Sequence, residues 1–177
     1  MTKSVTPLGF ALLGLINDEP RSGYALRKVF ETTPMGSYSS SPGSIYPALE
    51  SLRKAGLVVA SGEGRGKGLF HLTAQGVEAF QAWLRAPVEA SDLSQAMLRF
   101  AFLHSHSDRS LTHAFLDSFE AAAAGQAAAL AAFIAGEAGQ VLPVQARVAV
   151  EHGRRQVEAS AAWAAWARRT LEAEGEL

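Results

Sequence analysis

The sequence predicts a mainly α protein with one short β-hairpin, and three observations carry that expectation. Apolar residues recur at helical spacing over most of the 177 residues. Two short runs of strand-forming residues flank a glycine-rich tip, and beyond Asp92 no strand pattern survives while alanine accumulates. With 48% hydrophobic and 19% charged residues and a formal charge of −1, the chain is globular rather than disordered. It has no cysteine, which excludes a disulfide framework, a thiolate metal site and a cysteine nucleophile.

The unbroken apolar stretch from Leu8 to Ile16 is about half of the ~20 residues that span a bilayer. Asn17-Asp18-Glu19-Pro20 follows where a signal peptide would need small residues. It is therefore expected as a buried first helix over residues 7–17, with Pro7 in its first turn, Thr6 as cap and no membrane partner. After a turn at Glu19-Pro20-Arg21, Ser22 caps a second helix whose apolar residues include Leu26 and Phe30, leaving Arg27, Lys28 and Glu31 exposed. Residues 33–40 are rich in small polar and breaker residues and read as a loop.

A third helix begins at Ser41 or Ser44 and stops at Gly56. Ile45, Leu49 and Leu52 share its inward face, while Tyr46, Glu50, Arg53 and Lys54 project elsewhere. Pro47 is tolerated in the first turn, where N–H groups have no intrahelical acceptor. Strands at 57–60 and 69–72 enclose the tip that carries Arg65 and Lys67. Thr73 caps a fourth helix, which ends before Pro87. Further helices are expected at about 92–104, 109–136 and 143–173, the last with Val150, Val157, Ala164 and Leu171 at seven-residue spacing.

The small net charge hides an asymmetry. Between Arg21 and Thr73 there are seven basic and three acidic side chains, so an anionic partner would meet this segment first. The order of three helices, a hairpin and a helix is that of a winged helix-turn-helix, whose third helix enters the DNA major groove while the wing follows the backbone. Arg65 and Lys67 would then neutralise phosphates, and Ser39, Ser41, Ser44 and Tyr46 would supply neutral donors at the helix start. Spacing alone leaves Tyr46 open between a buried aromatic and a DNA contact.

Several runs mark the segment as similar to the DNA-binding domain of PadR-type transcriptional regulators. They are Leu12-Leu13-Gly14-Leu15, Ser22-Gly23-Tyr24-Ala25-Leu26, Ser41-Pro42-Gly43-Ser44-Ile45-Tyr46-Pro47-Ala48-Leu49, Leu52, Gly56-Leu57-Val58 and Leu72-Thr73-Ala74-Gln75-Gly76. The resemblance covers about residues 6–86 and implies a homodimeric cytoplasmic regulator, usually a repressor, that binds double-stranded DNA. Carried over residue by residue, it points to Tyr24, Ser41, Gly43, Ser44, Tyr46, Arg65 and Lys67 as DNA-binding residues. The remaining half resembles the long helical C-terminal domain of one branch of the family, opened by Leu98-Arg99-Phe100-Ala101-Phe102-Leu103. The expected division is thus a winged helix-turn-helix DNA-binding domain with a two-stranded wing at 1–88 and an all-α dimerisation domain at 89–177. A dimer would present two recognition helices to a pseudo-palindromic operator, and a small-molecule effector could act by changing their separation.

Other features have plainer readings. The glycine-rich tip lacks the Gly-Lys-Ser/Thr ending and helix start of a phosphate loop. His104, His106 and His113 lack zinc-ligand spacing and read as solvated, so neither metal nor cofactor is expected. Trp163 and Trp166 could flank a flat apolar effector or belong to the core or dimer interface. Asp117 and Glu120 read as a solvated stripe. No nucleophile, base and orienting group occur at recognisable spacing, so an enzyme is not expected. The competing reading is a winged-helix protein-interaction adaptor without specific DNA binding.

Overall fold

The computed structural model describes residues 5–39, 41–62, 68–87, 92–105 and 108–177. The chain divides into two compact units, Met1–Ala86 and Pro87–Leu177.

In the first unit, α1 (Pro7–Asp18) is capped by Thr6, whose hydroxyl accepts from the Gly9 N–H. Ala11, Leu12 and Leu13 are fully buried and Ile16 nearly so, so this helix lies at the centre of its unit. Pro20 forbids a direct continuation, and the chain forms a two-residue strand, β1 (Arg21–Ser22), that pairs antiparallel with β3. The sequence reading has only a turn here, because two residues are too few to show alternation. The sheet is consequently three-stranded, in the order β1-β3-β2, with β2 at Val58–Ser61 and β3 at Leu69–Leu72 forming the stem of the wing.

Ser22 caps α2 (Gly23–Thr32) through the Ala25 N–H. Residues Pro34–Tyr38, expected as part of a loop, form a 3₁₀ turn capped by Thr33, with Pro34 in its first position. A second 3₁₀ turn, Pro42–Ser44, leads into α3 (Ile45–Lys54). Pro47 stands at the third residue of this helix, where its missing N–H costs no intrahelical bond. Gly56, at φ +74°, ends α3: its N–H reaches the Arg53 carbonyl and that of Leu57 reaches Leu52, a Schellman closure. Thr73 then ties this corner to α4 (Ala74–Arg85), accepting from the Gly76 N–H at 2.9 Å and donating to the Gly56 carbonyl at 2.6 Å. Phe10 of α1 stacks on Trp83 of α4 with centroids 4.5 Å apart and rings 7° from parallel.

The second unit contains α5 (Leu93–Ala101), a 3₁₀ turn at Leu103–Ser105, α6 (Ser110–Ala135), the single-turn α7 (Glu137–Gln140) and α8 (Val144–Ala173). The turn shortens the first expected helix, and α7 is an element the sequence reading lacks. Helices α6 and α8 run antiparallel: Arg168 near the end of α8 reaches Asp117 and Glu120 near the start of α6. The two carboxylates are therefore not a merely solvated stripe; each accepts from the Arg168 guanidinium, at 2.7 and 2.9 Å. Their hydrogen bonds and charge, Glu120 first, raise the Arg168 pKa.

Alanines fill much of the α6–α8 seam, with Ala123, Ala127, Ala164 and Ala167 buried. At the α5 end they give way to aromatics, where Trp163 meets Phe100 and Phe119 edge-on at 5.0 and 5.7 Å. By length and composition α6 also passes for a membrane span, although Asp117, Glu120 and Gln126 interrupt its apolar residues. Its buried side chains, Phe115, Leu116, Phe119, Ala123 and Ala127, form part of the core of this unit.

Two stability measurements follow from this packing. A Cβ on Gly76 would overlap the Leu57 carbonyl oxygen, so Gly76→Ala should cost about 1–3 kcal/mol in urea unfolding. Hydrogen bonds from Arg154 and Arg155 hold the Glu151 carboxyl down to about 2, against 4.5 ordinarily. A carboxylate with a depressed folded-state pKa stabilises fully above its unfolded value and loses that contribution as pH falls through the folded value. Between pH 4.5 and 2 the wild type should therefore lose more stability than Glu151→Gln. High salt should shrink the difference, because the carboxylate remains partly open to solvent.

Candidate nucleic-acid interface

Ile45, Leu49 and Leu52 anchor α3 in the core, which turns the rest of its circumference outward. Tyr46 is 47% exposed and Tyr24, at the start of α2, is 67% exposed, so the structure resolves the alternative for Tyr46 in favour of the surface. The Tyr46 ring lies across Gly23: a Cβ there would come within 2.8 Å of Cε1. The glycine before Tyr24 thus lets one tyrosine lean over the helix that bears the other.

The serine turn that leads into α3 differs from the expected capping arrangement. Neither Ser41 nor Ser44 caps the helix with its side chain. Instead Ser44 Oγ donates to the Ser41 carbonyl at 2.6 Å, Ser39 Oγ lies 2.7 Å from that carbonyl, and the two hydroxyls are 2.7 Å apart. Two hydroxyl protons serve three short contacts, so Ser39 and Ser44 direct their donors inward. Among the described residues, the Ser41 hydroxyl has no hydrogen-bond partner and is exposed. Of the expected serine donors, Ser41 is the one placed to meet an external acceptor. Gly43 is also exposed, has no positive φ, and would accommodate a Cβ 3.6 Å from Ser41 Oγ. Its glycine is not required by the fold.

The basic excess is more muted than its count suggests. Arg21 pairs with Glu19, Arg27 with Glu31, and Arg53 with Glu50, the last through Nε at 2.8 Å and Nη2 at 2.9 Å. The Arg53 hydrogen bonds lower the Glu50 pKa, and those same bonds raise that of Arg53. Lys54 stands 3.8 Å from the same carboxylate. Lys28 is exposed and makes no ion pair among the described residues. Arg65 and Lys67 lie outside the described residues. Sequence reasoning noted that Glu50, Arg53 and Lys54 point away from the core but gave them no role; the signal was the Glu–Arg spacing of three.

The two tryptophans separate. Trp163 is part of the aromatic core of the second unit, whereas Trp166 is 55% exposed. His104 and His113 stand apart from any group of three or more metal-ligating side chains among the described residues, and His106 lies outside them. A small cleft lined by Phe30, Glu31, Gly36, Ser39 and Ser41 offers about 50 Å³, far below the ~300 Å³ of typical ligand pockets.

Residues 12–82 match the model of the Transcriptional regulator PadR-like family. The Transcriptional regulator YqjI of Escherichia coli (strain K12) is 30% identical over 92 residues, 52% of this chain and 42% of that protein. The chain thus matches less than half the length of this curated relative. Among solved structures, a PadR-like transcriptional regulator from Bacillus cereus is similar with 23% identity and a TM-score of 0.42, covering 94% of this chain and 99% of that one. Bacillus subtilis PadR in complex with operator DNA shows 18% identity and a TM-score of 0.39, covering 93% and 98%. Residues 12–82 are thus similar to the PadR-like family of transcriptional regulators.

Proposed function

We propose that this protein is a cytoplasmic, homodimeric regulator, acting as a repressor, that binds a pseudo-palindromic operator through its N-terminal unit. The observation that carries the reading is the exposed surface around the start of α3: Tyr24 and Tyr46 stand outward, and the serine turn that leads into α3 has, among the described residues, one hydroxyl without a partner and an unobstructed glycine. A duplex seated there would receive phosphate contacts from Ser41 and Lys28 and close backbone approach at Gly43, with Arg65 and Lys67 on the wing. Tyr46 and Ser44 border the same contact.

Dimerisation through residues 89–177 is supported by exposed apolar residues on one side of α8, where Arg155 stands among them. Val144, Val148, Ala159, Ala162 and Trp166 fall within a narrow angle of one another at 100° per residue, and all five are exposed. An effector that favours one spacing of the two winged domains would release the operator by binding the two dimer states unequally. The paired arginines favour the adaptor as the second reading, since they leave few free cations for phosphate.

Fluorescence anisotropy against a duplex from the protein's own upstream region and a scrambled duplex, across a salt series, separates the two. An operator reader should prefer the upstream duplex, with a salt slope of about −0.9 per phosphate neutralised. Replacing Arg65 and Lys67 by alanine should flatten that slope by about two. An adaptor should bind neither duplex at low salt. Gly43→Ala should leave the melting temperature unchanged while weakening operator binding, because its cost arises at the duplex. Val148→Glu combined with Trp166→Glu should halve the mass in sedimentation and weaken operator binding.

A further inference from the structure

The outward side of α3 carries an ion pair with an unused edge. We infer that Arg53, held side-on by Glu50, reads a guanine in the operator, with Glu50 as its positioning residue. The inference rests on the operator-binding reading above and names the base chemistry of that site.

Tyr46, Glu50 and Arg53 stand at i, i+4 and i+7, so they form one stripe on α3. That stripe begins at the tyrosine beside the serine turn. Arg53 gives Nε–H and one Nη2–H to the two oxygens of Glu50. A guanidinium has five N–H donors, so three remain, two on Nη1 and one on Nη2. These form the end-on edge of the fork, whose two parallel donors match O6 and N7 of guanine in the major groove.

The partner on the other edge matters because a free arginine side chain must give up rotamer freedom to present that fork. Glu50 already confines it. The side chains of Arg53 and Glu50 are 53% and 44% exposed, and an exposed pair of this kind contributes little to folding. A carboxylate on a surface used only to grip phosphate would weaken the grip. Its presence here is accounted for by orientation of Arg53 rather than by attraction to the backbone.

The test uses the full chain: selection from a randomised duplex library, then anisotropy against single-base variants of the selected site across a salt series. The wild type should demand guanine at one position of each half-site. Arg53→Lys keeps the charge but loses the fork, so it should lose discrimination there by about tenfold to a hundredfold. Its salt slope and its other base preferences should stay unchanged. Glu50→Ala should shift two readouts in opposite directions, with binding to a scrambled duplex strengthening and preference for that guanine falling. A merely structural role would weaken both, and unchanged thermal melting of each variant checks the fold. If Arg53→Lys keeps every base preference, and Arg53→Ala lowers the salt slope by about one without changing them, Arg53 is a phosphate contact and the inference is overturned. A wild type that selects no sequence overturns the operator reading itself, an outcome seen before any variant is made.

Discussion

The N-terminal unit is organised by the burial of α1 on nearly every side. Helix α1 packs against α3, α4 and β3, and no polar face of its own competes for solvent. At about 25 cal/mol per Å² of apolar surface removed from water, a helix with four almost fully buried large or small aliphatic positions is a strong organising element. Because α3 meets this centre through Ile45, Leu49 and Leu52, its remaining surface has nowhere to go but outward. The exposed tyrosine, the ion pair and the serine turn are consequences of that one burial.

The corner between α3 and the wing is set by backbone chemistry rather than by side-chain bulk. Gly56 supplies the left-handed residue that closes α3, and Thr73 bridges from its carbonyl to the first turn of α4. Gly76 lets α4 approach the Leu57 carbonyl more closely than any residue with a Cβ could. The stem of the hairpin is thus fixed against α3 by short contacts. A rigid scaffold of this kind is what lets a surface carrying few free charges hold a defined geometry toward a partner.

The C-terminal unit follows another logic. Alanine permits close packing of α6 on α8 but buries little area per residue, so the aromatic cluster around Trp163 and the ion contacts of Arg168 stand at one end of the helix pair. Apolar side chains such as Val148 and Trp166 remain exposed along α8. Two long helices cannot cover their whole circumference with each other. These exposed residues are the geometric remainder, and the homodimer proposed above gives them a partner.

Much of this was legible in the residues. The caps at Thr6, Ser22 and Thr73, the inward face of α3, the hairpin and the long C-terminal helices all depend on local chemistry: a hydroxyl three residues before an N–H, a repeat of 3.6, a glycine after a helix. The resemblance to the PadR-like family likewise rests on short runs around the third helix, and residues 12–82 carry the match. What only the tertiary structure decided depends on residues brought together across the chain or around a turn. The pairing of Arg21-Ser22 with β3 spans tens of residues, as does the reach of Arg168 to Asp117 and Glu120. The partition of three serines into two inward donors and one outward hydroxyl, and of two tryptophans into one core and one surface ring, leaves no periodic trace. Periodicity reports which face of a helix is apolar; which partner fills that face is fixed only when the elements pack.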